Sequence, residues 1–278
     1  MLSRYIPDSY KCANDVVSVL IGSLLLTVLC LSAKAQEIGN EKPSSISVGV
    51  EGGWMRNFQS GRLDARCGCS DLDAGRADSW IADFFVGSEF SRYFSLGVKV
   101  GIDNNSTTAT SLSRDSSTVA SVGDQRIVRG ILDLKGTIDV TLSYLFVAPY
   151  LNFTPFGRGF FLQLAPEFGT LLSSHLRQIR ELANTTIISG GDTVTNIRFQ
   201  NGSTRETLQD GPVQDVNKLH VSLIIAAGYD FRISEDFFLL AGGSYHVPLT
   251  MISSDPQTSH WKISSVTIGL GIRHRLPL

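Results

Sequence analysis

The sequence predicts an all-β fold, an eight-stranded antiparallel up-and-down transmembrane β-barrel, on three observations. Apolar and polar residues alternate with a period of two through most of the chain beyond residue 45. Connections between the alternating segments are short and long by turns, and the segments number eight, the even count a closed antiparallel ring requires.

Composition narrows the field first. The 278 residues are 42% hydrophobic and 18% charged, with a formal net charge of -2. No basic excess exists to neutralise phosphates, so nucleic acid is excluded as a partner. One run, residues 16–33, approaches the ~18–20 apolar residues of a spanning helix, which excludes a polytopic helical membrane protein. It leads into Ala33-Lys-Ala35, and residues 1–35 read as a cleaved secretory signal peptide, with 36–44 a short periplasmic segment. Of the 4 cysteines, Cys67 and Cys69 remain after cleavage, too few for a disulfide-stapled scaffold.

The barrel spans 45–278. Its first strand, 46–57, sets Ile46, Val48, Val50 and Trp54 against Ser47, Gly49, Glu51 and Gly53. The second, 80–90, sets Trp80, Ala82, Phe84, Val86 and Phe90 against Asp83, Gly87 and Glu89. The third, 94–103, separates Phe94, Leu96, Val98, Val100 and Ile102 from Ser95, Gly97, Lys99, Gly101 and Asp103. The fourth, 137–153 and traceable back to Val128, opens with Ile138, Val140, Leu142 and Tyr144 against Asp139, Thr141 and Ser143, with Asp139 assigned to the lumen. Towards Pro149 it turns apolar on both parities and the register is lost. The fifth, 160–170, opposes Phe160, Leu162, Leu164 and Phe168 to Gln163, Ala165, Glu167 and Gly169. The last three, 219–233, 237–249 and 265–276, place His220, Ser222, Asp230, Arg232, Ser244, His246, Arg273 and Arg275 on the polar face.

Long connections fall at about 59–78, 103–128, 172–216 and 250–260, and short ones at about 91–93, 154–159 and 234–236. A secreted lipocalin-like barrel would bury the oily face instead. That inversion would crowd Phe84, Phe94, Phe160 and Phe168 into an eight-strand interior with room for modest side chains only. Aromatics near strand ends (Trp54, Phe58, Trp80, Phe90, Phe94, Phe160, Phe237, Phe238 and Trp261) suit an interfacial girdle.

Three segments after short turns carry a family likeness: Phe94-Ser-Leu-Gly-Val-Lys-Val-Gly101, Phe160-Phe-Leu-Gln-Leu-Ala-Pro-Glu-Phe-Gly169 and Phe237-Phe-Leu-Leu-Ala-Gly-Gly-Ser-Tyr245. With Leu142-Ser-Tyr-Leu-Phe-Val-Ala-Pro149 and the closing Ile268-Gly-Leu-Gly-Ile-Arg273, the chain over about 45–276 resembles the outer-membrane-protein β-barrel domain family, the OmpA/OmpX-like and PorT-like barrels. The resemblance implies an integral protein of the cell outer membrane, usually without a defined activity. One departure is the ending, His274-Arg-Leu-Pro-Leu278, where such barrels often finish on an aromatic read by the assembly machinery.

Glu51, Asp83, Glu89, Lys99, Asp139, Glu167, Asp230, Arg232, Arg273 and Arg275 are read as sharing the inward parity, with both signs of charge present. Charges kept from lipid must pair or meet water, so they predict an internal ion-pair network that plugs the lumen. His220-Val-Ser222 has the His-x-Ser form of outer-membrane lipid A deacylases. The parity turns both side chains inward, and the following strand offers no acidic residue at that height, so no catalytic residue is assigned. In the first long loop, Cys67 and Cys69 form a candidate disulfide or an exposed thiol pair, and Asp71 and Asp73 lack the later Glu of a calcium loop. No metal or other cofactor is expected. Gly190-Gly191-Asp192 between two β-prone runs predicts a hairpin within the third long loop.

These readings give a structural or interaction protein with loops presented outside. The expected partners are the outer-membrane lipid bilayer, the barrel assembly machinery, and an extracellular ligand or envelope protein. The alternatives are a small porin-like transport channel and, third, a membrane-embedded lipid-modifying enzyme.

Overall fold

The computed structural model describes residues 45–61, 75–121, 127–156, 159–189, 192–253 and 261–277. The candidate signal peptide and the Cys67/Cys69 pair lie outside these residues. Eight strands close the ring: β1 (Ser45–Ser60), β2 (Arg76–Glu89), β3 (Phe94–Ser121), β4 (Ile127–Phe153), β5 (Phe160–Leu182), β10 (Leu219–Arg232), β11 (Phe237–Pro248) and β12 (Lys262–Pro277). Each pairs antiparallel with its neighbours, and closure comes from β10 on β5 and β12 on β1. The elements between β5 and β10 are short: β6 (Ile187–Ser189), β7 (Asp192–Val194), β8 (Ile197–Arg198) and β9 (Arg205–Gly211). β6 and β7 pair antiparallel, which is the hairpin expected around Gly190-Gly191.

Turn chemistry closes the short connections. After β2, the Ser91 hydroxyl accepts from the backbone N–H groups of Tyr93 and Phe94, at 3.1 and 3.0 Å, a local side-chain substitute for a ladder bond. Ser234 does the same for the Phe237 N–H at 3.3 Å before β11.

The ring is lopsided. β3, β4 and β5 run 28, 27 and 23 residues, whereas the other five run between 12 and 16. Most of the expected loop at 103–128 is therefore strand, with β3 and β4 paired from Phe94↔Phe153 to Ala120↔Ile127. Here residues on both parities are polar, Asn104, Ser106 and Thr108 outside and Asn105, Thr107 and Ser111 inside, so the alternation loses its contrast while the ladder continues. Threonine, β-branched and at home on a pleated surface, keeps this stretch extended. β5 likewise continues into the expected loop at 172–216, and β9 covers its upper edge.

Burial along β4 corrects a second expectation. Ile138, Val140, Leu142, Tyr144, Phe146, Ala148 and Tyr150 all point inward and are at most 5% exposed. Asp139, Thr141 and Ser143 therefore face out, and the Thr108 hydroxyl donates to Asp139 at 2.8 Å on the outer wall. β4 turned apolar on both parities because its inner face meets an oily cluster while Leu145, Val147, Leu151 and Phe153 form the outer face. Gly87 and Gly97 lie directly against the Tyr150 side chain, where a Cβ would have no space.

A bulge explains how β5 changes sides. Ser143 pairs with Ser173 and Tyr144 with Leu171, so Leu172 is the extra residue. Below it Gln163, Ala165 and Glu167 point inward; above it Leu176 and Gln178 do. The same level marks a change in the character of the outer wall. Beneath it lie Trp54, Trp80, Ile102 and Leu145, and above it the Arg56–Asp78 ion pair (2.6 Å), Asn104 and Ser143.

Two outward aromatics expected in the girdle point inward instead. Phe238 is enclosed near the short-turn end, and Trp261 is buried at the long-loop end with Ile252, Ile263, Leu142 and Tyr144. Trp261 belongs to a lid made by two loops. The Asn217 side-chain amide donates to the carbonyls of Met251 (2.9 Å) and Ser253 (2.8 Å), and the Ile252 N–H donates to the Trp261 carbonyl at 2.9 Å.

The inverted face of β4 is testable by thiol labelling in a Cys67→Ser/Cys69→Ser background. Asp139→Cys in the folded protein reacts readily with a polar maleimide, whereas Val140→Cys reacts only after unfolding. Equal rates at the two positions would contradict the register.

Candidate functional site

The alternation of each strand delivers polar side chains to the ring interior, where they stack in levels. At the short-turn mouth, Arg275 pairs with Glu89 at 2.5 Å, and the Ser45 hydroxyl donates to the same carboxylate at 3.2 Å. Arg273 pairs with Asp230 at 2.6 Å. The Phe238 ring lies against both guanidinium groups, 4.7 Å from Arg273 and 5.0 Å from Arg275, so the cations are held by carboxylate and aromatic face together.

One level up, the Lys99 ammonium donates to Glu51 at 2.5 Å and lies 5.9 Å from the Tyr150 ring centre. Tyr150 in turn meets Phe85 edge to face at 6.4 Å. Beside this pair is a cavity of about 80 Å³, bordered by Asp83, Phe146, Phe161, Leu240, His246 and Thr267. Gly53, Gly242 and Gly269 stand in one row across the adjoining strands and thin the wall there.

Above the cavity lies a layer of titratable groups with no ammonium or guanidinium among them. Glu167 on β5 is paired in register with Ser222 on β10, and the Ser222 hydroxyl donates to Glu167 Oε1 at 2.9 Å. His220 Nε2 is 4.0 Å from the same oxygen, and His246 Nδ1 is 3.6 Å from Oε2. Ser244 Oγ and His246 Nε2 are 3.1 Å apart, and the Tyr144 ring packs at a tilt against His220 with ring centres 5.1 Å apart. Asp103 takes one hydrogen bond, from Asn105 at 2.6 Å.

Of the residues read as inward-facing, Glu51, Asp83, Glu89, Lys99, Glu167, Asp230, Arg273 and Arg275 come together in these levels. Asp139 does not, for the reason given by β4. Arg232 sits exposed at the rim, where its Nε donates to the Ser234 carbonyl at 3.1 Å and finishes the turn. Asp103 and His246, on the polar faces of their strands by sequence but not among the residues expected in the ion-pair network, join these levels. The following strand, β11, offers no acid beside His220-Val-Ser222. The acid is Glu167 on the other neighbour, visible once β10 is known to close on β5.

The layer has the residue types of a hydrolytic triad without its connections. A nucleophilic serine needs its hydroxyl bonded to the imidazole that will take its proton. Here the Ser222 proton goes to the carboxylate, and Ser222, Glu167 and His220 are all buried. Among the described residues, no group of His, Cys, Asp and Glu is arranged to hold a metal ion.

No protein-family model matches the chain, and no curated protein does. Among solved structures it is similar to Neisserial surface protein A, at 14% identity and TM-score 0.33 over 84% of this chain and 100% of that one. Another is Ail, the attachment invasion locus protein of Yersinia pestis, at 14% identity and TM-score 0.28, covering 84% and 99%. A third is the N-terminal β-barrel domain of Pseudomonas aeruginosa OprF, at 14% and 0.26, covering 83% and 97%. The closed ring is given by the strand register.

Cutting the Arg273–Asp230 pair tests the network. Arg273→Met leaves a buried carboxylate without its cation and costs about 3–5 kcal/mol in denaturant unfolding. Adding Asp230→Asn recovers most of that loss. A double variant no more stable than the single one would show that the two groups act separately.

Proposed function

We propose that this chain is an integral outer-membrane β-barrel with a closed lumen and a structural or interaction role, presenting its long-strand sheet outside. One observation carries the reading, the outward face of the lower ring. Val50, Trp54, Phe84, Ile225, Ile268 and Leu270 are exposed there, Ile268 by 64% and Leu270 by 62%. Every strand of the ring contributes, and among the described residues no carboxylate, ammonium or guanidinium interrupts the belt. Patches on water-soluble monomers seldom exceed a few hundred Å². The belt runs from Phe94 to Ile102 on β3 and from Val266 to Leu276 on β12. At about 3.4 Å per residue and ~40° tilt it is about 20–25 Å tall, the height of a lipid-facing band.

Aromatic rims support the same placement. At the short-turn end Phe94 stacks on Phe153 (5.1 Å) and Phe237 on His274 (4.4 Å), and the Tyr229 and Phe231 rings meet at a tilt (4.8 Å). At the other rim Trp54 faces Trp80 across the β1–β2 ladder. Short turns then lie in the periplasm and the long strands outside, with residues 1–35 acting as the export signal and the barrel assembly machinery as the insertion partner.

The interaction surface is the raised sheet of β3, β4, β5 and β9. It has its own core of Val119, Leu132, Leu134, Leu182, Ile197 and Phe199. Its rim carries the ion pairs Arg180–Glu206 (2.7 Å), Arg205–Glu181 (3.2 Å) and Arg114–Asp133 (2.8 Å). The hydrogen bond from Arg114 holds the Asp133 carboxyl below its ordinary pKa, though an exposed pair of this kind adds little stability. A sheet with an internal core is a rigid platform for an extracellular ligand or envelope protein, since binding residues work best on a fixed scaffold. A channel role is opposed by the mouth ion pairs, the titratable layer and the Trp261 lid, which occupy the lumen in turn.

Membrane fractionation and gel mobility test the placement. The protein stays in the outer-membrane pellet through salt and carbonate washes and migrates differently before and after boiling. Release by salt with one mobility would refute the proposal. In planar bilayers the same protein gives no stable large conductance; steady open channels would transfer the role to transport.

A further inference from the structure

Charge in the lumen does not balance. Inside the ring, above the Glu89–Arg275 pair at the mouth, five carboxylates among the described residues face inward: Glu51 from β1, Asp83 from β2, Asp103 from β3, Glu167 from β5 and Asp230 from β10. They meet two fixed cations, Lys99 from β3 and Arg273 from β12. Those cations pair with Glu51 and Asp230; Asp83, Asp103 and Glu167 make no direct ion pair with an ammonium or guanidinium among the described residues, and Asp83 shares the field of Lys99 with Glu51. The remaining titratable groups facing this space are the imidazoles of His220 on β10 and His246 on β11, and the phenols of Tyr144 and Tyr150 on β4.

The surplus sits where water is scarce. Asp103 is 2% exposed and Glu167 1%. Each has a buried oxygen without a hydrogen-bond partner, as do Asp83, the Tyr144 hydroxyl, Thr267 Oγ1 and His220 Nδ1. An uncompensated carboxylate in such surroundings is costly, and the cheapest remedy is a bound proton. Two imidazoles within 4.0 Å of the Glu167 carboxylate, with Asp103 in the same layer, can share protons among themselves.

We propose that the closed lumen is a proton-binding site, in which Asp83, Asp103, Glu167, His220 and His246 together hold protons that the unfolded chain does not. Three protons neutralise the deficit of five carboxylates against two cations, and water reaching the cavity lowers the number needed towards one. The folded state then binds more protons than the unfolded state. Folding weakens as pH rises, about tenfold in equilibrium constant per pH unit for each extra proton.

Proton uptake on folding measures this directly. The purified protein is unfolded in urea and refolded by dilution into weakly buffered dodecyl maltoside at about pH 7.5, where unfolded carboxylates are ionised and imidazoles mostly neutral. Each folding event takes up about one to three protons, recorded by indicator dye, with folding confirmed by gel mobility. Asp103→Asn removes about one proton from the uptake. Asp83→Asn serves as the second variant should Asp103→Asn fail to fold, and Asp139→Asn on the outer wall leaves the uptake unchanged. Wild-type refolding without uptake, or with release, overturns the proposal. So does refolding without uptake that needs sodium or potassium and fails in choline, which would make the missing charge a metal cation.

Discussion

An eight-stranded ring is barely wider than the side chains it encloses, and the rest of this structure depends on that constraint. Closing the sheet leaves no free edge in the lower ring and satisfies the backbone from strand to strand. It also forces every second residue into a narrow space where large groups must interlock and charged groups must find partners. Phe238 against two guanidinium groups and Tyr150 against Gly87 and Gly97 are both answers to this crowding. Neither would be needed in a wider barrel with a water-filled lumen.

The outer wall of the sheet changes from apolar to polar along its length. Up to the level of Ile102 and Leu145 the wall is oily outside and mixed within. Above it the outer wall is polar, while Ile138, Val140, Leu142 and Trp261 pack inside like the core of an ordinary soluble domain. Hydrogen bonding of the strands does not notice this change, because backbone pairing is indifferent to what the side chains face. The boundary is written in side chains alone.

That independence sets what could be read in advance. Where the outer face met oil and the inner face polarity, as in 94–103 or 265–276, two-residue alternation gave strand and orientation together. Above the boundary Asn104, Asn105, Ser106 and Thr107 are polar on both faces, so the continuing ladder left no contrast to detect. On β4 the apolar set was recognised but assigned to the wrong wall, because Ile138 and Val140 look the same facing lipid or facing a buried core. Pairings between distant strands were hardest. Glu167 and Ser222 are 55 residues apart, and only closure of β10 onto β5 makes them partners. The ionisable residues were thus legible as an inward set, while the division into a mouth network and a separate cation-free layer was not.

The extra residue at Leu172 has a consequence for how this chain can change over time. One residue is half a side-chain period, so the bulge acts as a phase shifter between the lower and upper halves of β5. Deleting it, or adding a neighbour, would exchange every inner and outer side chain from there to Leu182. Insertions or losses within that stretch therefore survive only in even numbers, or with a compensating slip. Beyond β5, no such parity rule constrains the connecting segments. Length variation among descendants of this sequence should accordingly gather past residue 182 and come in steps of two before it.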